Sequence, residues 1–243
     1  MPNVYTYKNF HGSSHRILID LIRIYSNGGT LLDLGAAGGE LGAELRDAFP
    51  KRIGYEFSRD RIAQLRSRFD HVVIADLEQT ERLPPQMSTI VLADVLEHLK
   101  HPKKILTVVL ASLRPDGVGF VSVPNIANVT IRIGLLFGIF RYRERGILDE
   151  THLRFYTMAS IREELETAGF EIVRVRGSAV PIRLILGSSV PELLLEPMER
   201  ILMAVTQLWK ALLAYQIILV VRPRKATNEA ATSSKRPTME SGQ

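Results

Sequence analysis

LLDLGAAGGELG, residues 31–42, joins a short apolar run to a glycine-rich turn and then to the opening of a helical pattern. Thr30–Leu34 is too short for a helix and too apolar for an exposed segment, so it predicts a buried strand. Gly35, Gly38 and Gly39 follow at once. Glycine adopts positive φ without penalty and lets a ligand approach the backbone closely. A carboxylate, Asp33, sits near the strand's carboxyl end. A strand, a tight glycine turn and a helix in that order open a βαβ unit.

Outward from this unit the alternation continues. Upstream, SSHRILIDLIRIYS (13–26) has helical apolar spacing, with Ser13 or Ser14 as N-cap, and Asn27-Gly28-Gly29 ends it. Downstream the pattern predicts a helix over 40–48, a strand over 52–57, a helix near 59–68 and a strand over 71–75. A strand over 88–93 comes next, then a helix over 102–113. A turn at Arg114–Gly117 precedes a strand over 118–123. A helix over 157–168 and strands over 171–176 and 216–221 complete the set. Strands separated by helical stretches of about ten residues build a parallel sheet covered on both faces. The expected fold is therefore α/β, a Rossmann-like, seven-stranded, mostly parallel sheet with helices on both faces and a small cap. Residues 1–223 form one domain, with a cap over 125–156 and an apolar helical insertion over 180–213. The polar, aperiodic tail 224–243 is expected to be disordered.

Acids recur where a ligand would need them. Open parallel sheets bind ligands at the carboxyl ends of their strands. Glu56 ends the second strand about twenty residues after the glycine turn, where a carboxylate accepts both ribose hydroxyls of an adenosine. Asp76 follows the third strand and is placed to accept an adenine amino group. Solvated loop acids seldom fall at the ends of three successive strands.

LDLGAAGG, GYEFS, ADLEQ, LADVLEHL and LRPDGVGFVSVPN, in that order over residues 30–125, resemble the successive motifs of the class I S-adenosylmethionine (SAM)-dependent methyltransferases. The resemblance implies SAM as cofactor. Asp33, Gly35 and Gly39 would line the methionine half, with Asp33 offsetting the ammonium charge. Glu56 would hold the ribose, with Phe57 against the adenine, and Asp76 and Leu77 would border the base. Ala93 and Asp94 would lie beside the methionine chain. Ala37, counted with the cofactor residues, stands where the family usually has its middle glycine.

Methyl transfer from a sulfonium needs alignment of donor and acceptor, and for a hydroxyl or amine a proton acceptor. His98, just after the fourth strand, and His152, in DETHLRFYT, are the candidate bases, since histidine accepts protons near neutral pH. The alternatives are a helix-start residue bonding its own loop for His98, and for His152 and Arg154 a role pinning the cap to the sheet. Asn125, Arg154 and Tyr156 are the candidate acceptor-side residues. The string from SVPN through RGILDETHLRFYT resembles a bacterial subgroup associated with surface-polysaccharide and other glycan pathways. It implies O-methylation of a sugar hydroxyl, with a lipid or secondary metabolite as the other acceptor class. No acidic or histidine cluster with metal-ligand spacing stands out, so metal independence is expected.

Composition excludes several classes. The 243 residues contain no cysteine, so disulfides and thiolate metal sites are ruled out, and a reducing cytoplasmic setting is expected. No signal peptide or transmembrane span is read, and the net charge of +5 is not gathered into a nucleic-acid-binding face. Two apolar stretches with basic surroundings, Ile131–Phe140 and Val190–Leu213, suit an interfacial membrane helix at the inner face, core packing, or a homodimer face. Two rival functions remain. A nicotinamide oxidoreductase is disfavoured by the missing Tyr-x-x-x-Lys pair and by Asp33 beside a would-be pyrophosphate. A silent SAM-binding or membrane-docking subunit would be marked by a pocket plugged by Ile131–Phe140.

Overall fold

The computed structural model describes residues 12–186 and 190–225. Its strands are β1 (Thr30–Leu34), β2 (Lys51–Glu56), β3 (His71–Ile74), β4 (Met87–Ala93), β5 (Leu113–Pro124), β6 (Phe170–Ser178) and β7 (Gln216–Pro223). They form one sheet in the order β3-β2-β1-β4-β5-β7-β6. All neighbours through β5 pair in parallel, and β7 runs antiparallel to both β5 and β6. Strand order reverses between β1 and β4, so their carboxyl ends diverge into the crevice where such sheets bind ligands.

Alternation along the strands divides the core in two. Leu32, Leu34, Ile90, Leu92, Val121, Val123, Ile217 and Leu219 point to one face, against Ile105, Leu106 and Val109 of α4 (Pro102–Ser112) and Ile161 and Leu165 of the Met158–Thr167 helix. Leu31, Val91, Phe120, Ile218 and Val220 point to the other, against Leu18, Ile19 and Ile22 of α1 (Ser14–Tyr25) and Leu41 of α2 (Glu40–Glu44). Each such buried side chain contributes about 1.5–3 kcal/mol. Strands buried on both faces read as continuous apolar runs, which is why β1, β4 and β5 are visible in the sequence.

The differences from the sequence reading are local. The helix expected over 40–48 closes at Glu44, and that over 59–68 is a 3₁₀ turn (Arg59–Arg61) followed by α3 (Ile62–Arg66). The turn expected at Arg114–Gly117 is a bulge at the start of β5. Pairing jumps from Met87↔Leu113 to Thr89↔Val118, so the extra residues loop out of the ladder. After β5 come α5 (Val129–Leu136), α6 (Met158–Thr167), α7 (Ile182–Leu186), α8 (Glu192–Leu208) and α9 (Lys210–Leu213). Thr157 and Ser160 cap α6 reciprocally.

Most apolar side chains of the two basic-flanked stretches stay outside the core, with Leu195 of the second buried. Leu136 and Phe137 of the first and Leu193, Ile201, Leu208 and Trp209 of the second are exposed, so core packing does not account for these six. Among the described residues no helix is long and apolar enough to cross a membrane. Arg224, the first residue of the expected tail, is tied to the sheet, its N–H donating to Gly169 O and its guanidinium to Phe170 O. Residues 226–243 lie outside the described residues, as do 1–11 of the expected domain.

Candidate active site

A cavity of about 510 Å³ opens at the carboxyl ends of β1, β2 and β4, within the range of about 300–1,000 Å³ usual for small-molecule sites. Its walls include Asp33, Gly35, Ala37, Glu56, Phe57, Asp76, Leu77, Ala93, Asp94 and His98. Of the residues assigned to the cofactor from sequence, Gly39 alone is not on the wall. It sits at φ +81° as the N-cap of α2, where a Cβ would press on Leu65, Arg68 and Phe69, so its role is to let the helix turn over the sheet.

The turn after β1 is held to β2. The N–H groups of Gly35 and Ala36 both donate to Tyr55 O, at 2.9 and 2.8 Å. Gly35 lies at φ +80°, and a Cβ there would stand 2.7 Å from Val95 Cγ2. Ala37 is also left-handed, at φ +49°, a conformation that costs an L-residue about 1–2 kcal/mol. Its N–H is aimed at the Glu56 carboxylate, 2.8 Å away, and the Ser58 N–H reaches the other Glu56 oxygen at 2.9 Å. Two backbone donors therefore fix the carboxylate and leave it lone pairs for further donors.

Asp33 is buried, and among the described residues no donor reaches its carboxylate. Burial first, then the charges of Glu56 and Glu40, raise its pKa from the ordinary 3.8 to about 7. A bare, desolvated carboxylate on a cavity wall is a site for a cation. At the opposite wall Asp94 lies at φ +55°, held by Ser122 Oγ at 2.8 Å and by Gln216 Nε2 at 2.7 Å.

The far end of the cavity is built by two segments joined along their backbones. Leu153 N and Arg154 N both donate to Glu97 O, and the Arg154 guanidinium donates to Leu99 O and Lys100 O. This brings His98 beside His152, with ring centroids 4.9 Å apart. His98 Nδ1 faces Thr151 O at 3.3 Å and Thr151 Oγ1 at 3.2 Å, and both His98 and Thr151 line the cavity. His152 is buried behind them with Nδ1 toward Ile147 O, 3.2 Å away. Burial, then His98, lowers its pKa.

Three acceptor-side expectations need correction. Asn125 is fully buried. Its amide donates to Ala211 O and Ala214 O, and its Oδ1 accepts from Ala127 N, so it ties the end of β5 to the segment before β7. Tyr156 is buried opposite it in an isolated β-bridge, and burial raises its phenol pKa. Arg154 spends its donors on loop carbonyls. None of the three lines the cavity, and neither does any residue of Ile131–Phe140. The sequence reading passed over Ser14, His15 and Leu18 of α1, which close the cavity's near side, as well as Ser122 and Thr151. It also passed over Glu97, which is buried with neither carboxylate oxygen hydrogen-bonded. Ser14 carried a visible signal, but as a helix cap. Nothing in the sequence pairs His98 with a residue 54 positions away.

The family model described as "Methyltransferase domain" matches residues 14–175, which includes every strand and helix lining the cavity. No curated protein matches the chain. Among solved structures, magnesium protoporphyrin IX methyltransferase from Synechocystis, with bound SAH, is 15% identical at a TM-score of 0.61. The match covers 91% of each chain. A SAM-dependent methyltransferase from Archaeoglobus fulgidus is 14% identical at 0.57, over 86% of this chain and 95% of that one. One from Clostridium acetobutylicum is 12% identical at 0.58, over 90% and 93%. At these identities the solved structures establish the fold alone. The family match sets aside the nicotinamide oxidoreductase alternative.

Proposed function

The chain belongs to the methyltransferase domain family and is a SAM-dependent methyltransferase, and from that premise we propose that it methylates a hydroxyl oxygen of a small molecule, a sugar or glycan before a lipid or secondary metabolite. The observation that carries the site assignment is the set of carboxylates on one cavity wall, Asp33, Glu56 and Asp76, at the ends of three adjacent strands.

These residues fit the cofactor. Asp33 is a desolvated carboxylate awaiting a cation, the charge that the ammonium of a methionine moiety carries. Glu56, already held by Ala37 and Ser58, has acceptor capacity for two ribose hydroxyls. Phe57 is exposed at the cavity rim as a face for the adenine, with Asp76 and Leu77 bordering the base. Gly35 and the small side chains of Ala37 and Ala93 leave room for the backbone to run alongside the ligand. SAM supplies an electrophilic methyl group at its sulfonium. The protein's share is to align it with the acceptor and keep water out. His98 and Thr151 offer polar groups where the acceptor would enter, beyond Asp94.

The preference for a hydroxyl and for a sugar rests on the DETHLRFYT segment, whose Thr151 forms part of the cavity wall. Isothermal titration with SAM and with its demethylated product, alongside NAD and NADP, tests the cofactor assignment. Glu56→Ala should weaken binding of both sulfur ligands at least thirtyfold, about 2 kcal/mol, and clear nicotinamide binding in their place would sink the reading. Incubation with methyl-labelled SAM and separate panels of nucleotide sugars, lipids and phenolic metabolites then tests the acceptor. Label confined to the lipid or phenolic panel would overturn the sugar assignment.

A further inference from the structure

Glu97 is the most anomalous side chain among the described residues. It is 1% exposed, neither of its oxygens has a hydrogen-bond partner, and Asp94 and Asp149 add negative charge nearby. A buried carboxylate without partners is costly unless it is protonated or a cation sits against it. The groups beside it are the two imidazoles of His98 and His152. One ligand atom from each of Glu97, His98 and His152 lies within 4.8 Å of the others.

We propose that Glu97, His98 and His152 hold a divalent first-row metal ion at the acceptor end of the cavity. Two imidazoles and one carboxylate form a donor set suited to manganese through zinc, with coordination positions left for other oxygens. Ligands about 2.1 Å from such an ion stand about 3–3.4 Å apart, so the donors close on it by small side-chain rotations. The surroundings are those of a metal site. Each ring presents Nδ1 to a carbonyl, Ile147 O for His152 and Thr151 O for His98, and donation there selects the tautomer whose Nε2 carries the lone pair. Thr151 is itself fixed by Asp149, whose Oδ1 accepts from Thr151 N at 2.9 Å and from Thr151 Oγ1 at 2.6 Å. A carboxylate, a hydroxyl and an imidazole are thus connected in series around the position.

In this proposal ligation takes the place of the base role expected for the two histidines, because a ligated imidazole has no lone pair left for a proton, and it stands against the expectation of metal independence. Resting on the methyl-transfer reading, the site also deepens it. An acceptor hydroxyl oxygen bound to the ion loses its proton to water more readily. The oxygen's electron pair then forms the O–CH₃ bond while the S–CH₃ bond breaks, its electrons remaining on sulfur as a neutral thioether. The substrate class this favours is a hydroxyl compound with an oxygen able to ligate a hard or borderline cation.

The test uses the full chain, stripped with a chelator and titrated with Co²⁺, read by visible absorption and by bound metal per chain. One equivalent is expected. Glu97→Gln and His152→Ala should each weaken it at least a hundredfold, while binding of the demethylated cofactor, measured on the same preparations, stays within about twofold and shows that the variants fold. Glu97→Gln should also abolish the rise in melting temperature that Co²⁺ gives the wild type. No Co²⁺ binding by the wild type at millimolar concentration, or binding that survives both substitutions, overturns the proposal. Co²⁺ binding without any cofactor binding would keep the metal site and overturn the methyltransferase reading.

Discussion

Asp33→Asn tests the site electrostatics in two directions at once. With a pKa of about 7, the carboxylate is about half ionised at pH 7 and about 3% ionised at pH 5.5. A ligand ammonium that needs the ionised form should therefore bind about sixteenfold more weakly at pH 5.5 than at pH 7, about 1.6 kcal/mol. The ligand's own amino group, with an ordinary pKa of about 7.7–8, stays protonated across that window. The same shift has the opposite consequence for the empty protein. The folded pKa lies above the unfolded one, so ionised Asp33 opposes folding. The penalty is absent below about pH 4, grows as pH rises, and levels off above about pH 7 at roughly 4 kcal/mol as an upper bound. Asparagine carries its own burial cost, so the variant should be more stable than wild type by about 1–3 kcal/mol at pH 8 and no more stable at pH 4.5. Titration of the demethylated cofactor at pH 5.5 and 7, and urea melts at pH 4.5 and 8, read both effects. A wild-type affinity that is flat between pH 5.5 and 7, or an equal slope in Asp33→Asn, would refute the reasoning.

Two further substitutions test local geometry. Ala37→Gly relieves about 1–2 kcal/mol of left-handed strain and adds about 0.4–1 kcal/mol of unfolded-chain entropy. The net gain of about 0.5–1 kcal/mol should appear as a melting point raised by about 2 °C, and a lower one would mean that the turn does not depend on φ at this residue. Thr157→Ala removes one half of the reciprocal cap on α6 and should cost about 1 kcal/mol by urea denaturation, with cofactor affinity unchanged because α6 does not reach the cavity.

The carboxylate wall of the cavity was legible because its information is local. Each carboxylate stands at the end of its own strand, and an apolar run followed by an acid looks the same in the chain as in the sheet. The acceptor half was not. Asn125 follows a strand as Asp94 does, yet its side chain turns to carbonyls contributed by residues 211 and 214, and no periodicity announces such a partner. His98 and His152 were each noticed, but their meeting depends on Arg154 and the Glu97 carbonyl joining two loops. Glu97 was missed because an acid in a short turn looks like surface, and only its depth makes it unusual. The β5 bulge hid for a similar reason, since Arg-Pro-Asp-Gly is turn chemistry whether or not the chain reverses.

The place of β7 in the sheet has a consequence for how the protein is made. Among the described residues it is the last strand in chain order, yet it lies between β5 and β6. While the ribosome is still adding residues beyond Ser178, β6 has no neighbour to pair with and β5 presents a bare edge, so the nascent chain holds two unsatisfied strands until Gln216–Pro223 emerges. Gln216 is also the residue that grips Asp94 across 122 positions of sequence. Completion of the fold and completion of the pocket are therefore one late event, and a chain stopped short of residue 216 would leave the ribosome with five strands in order but no finished site.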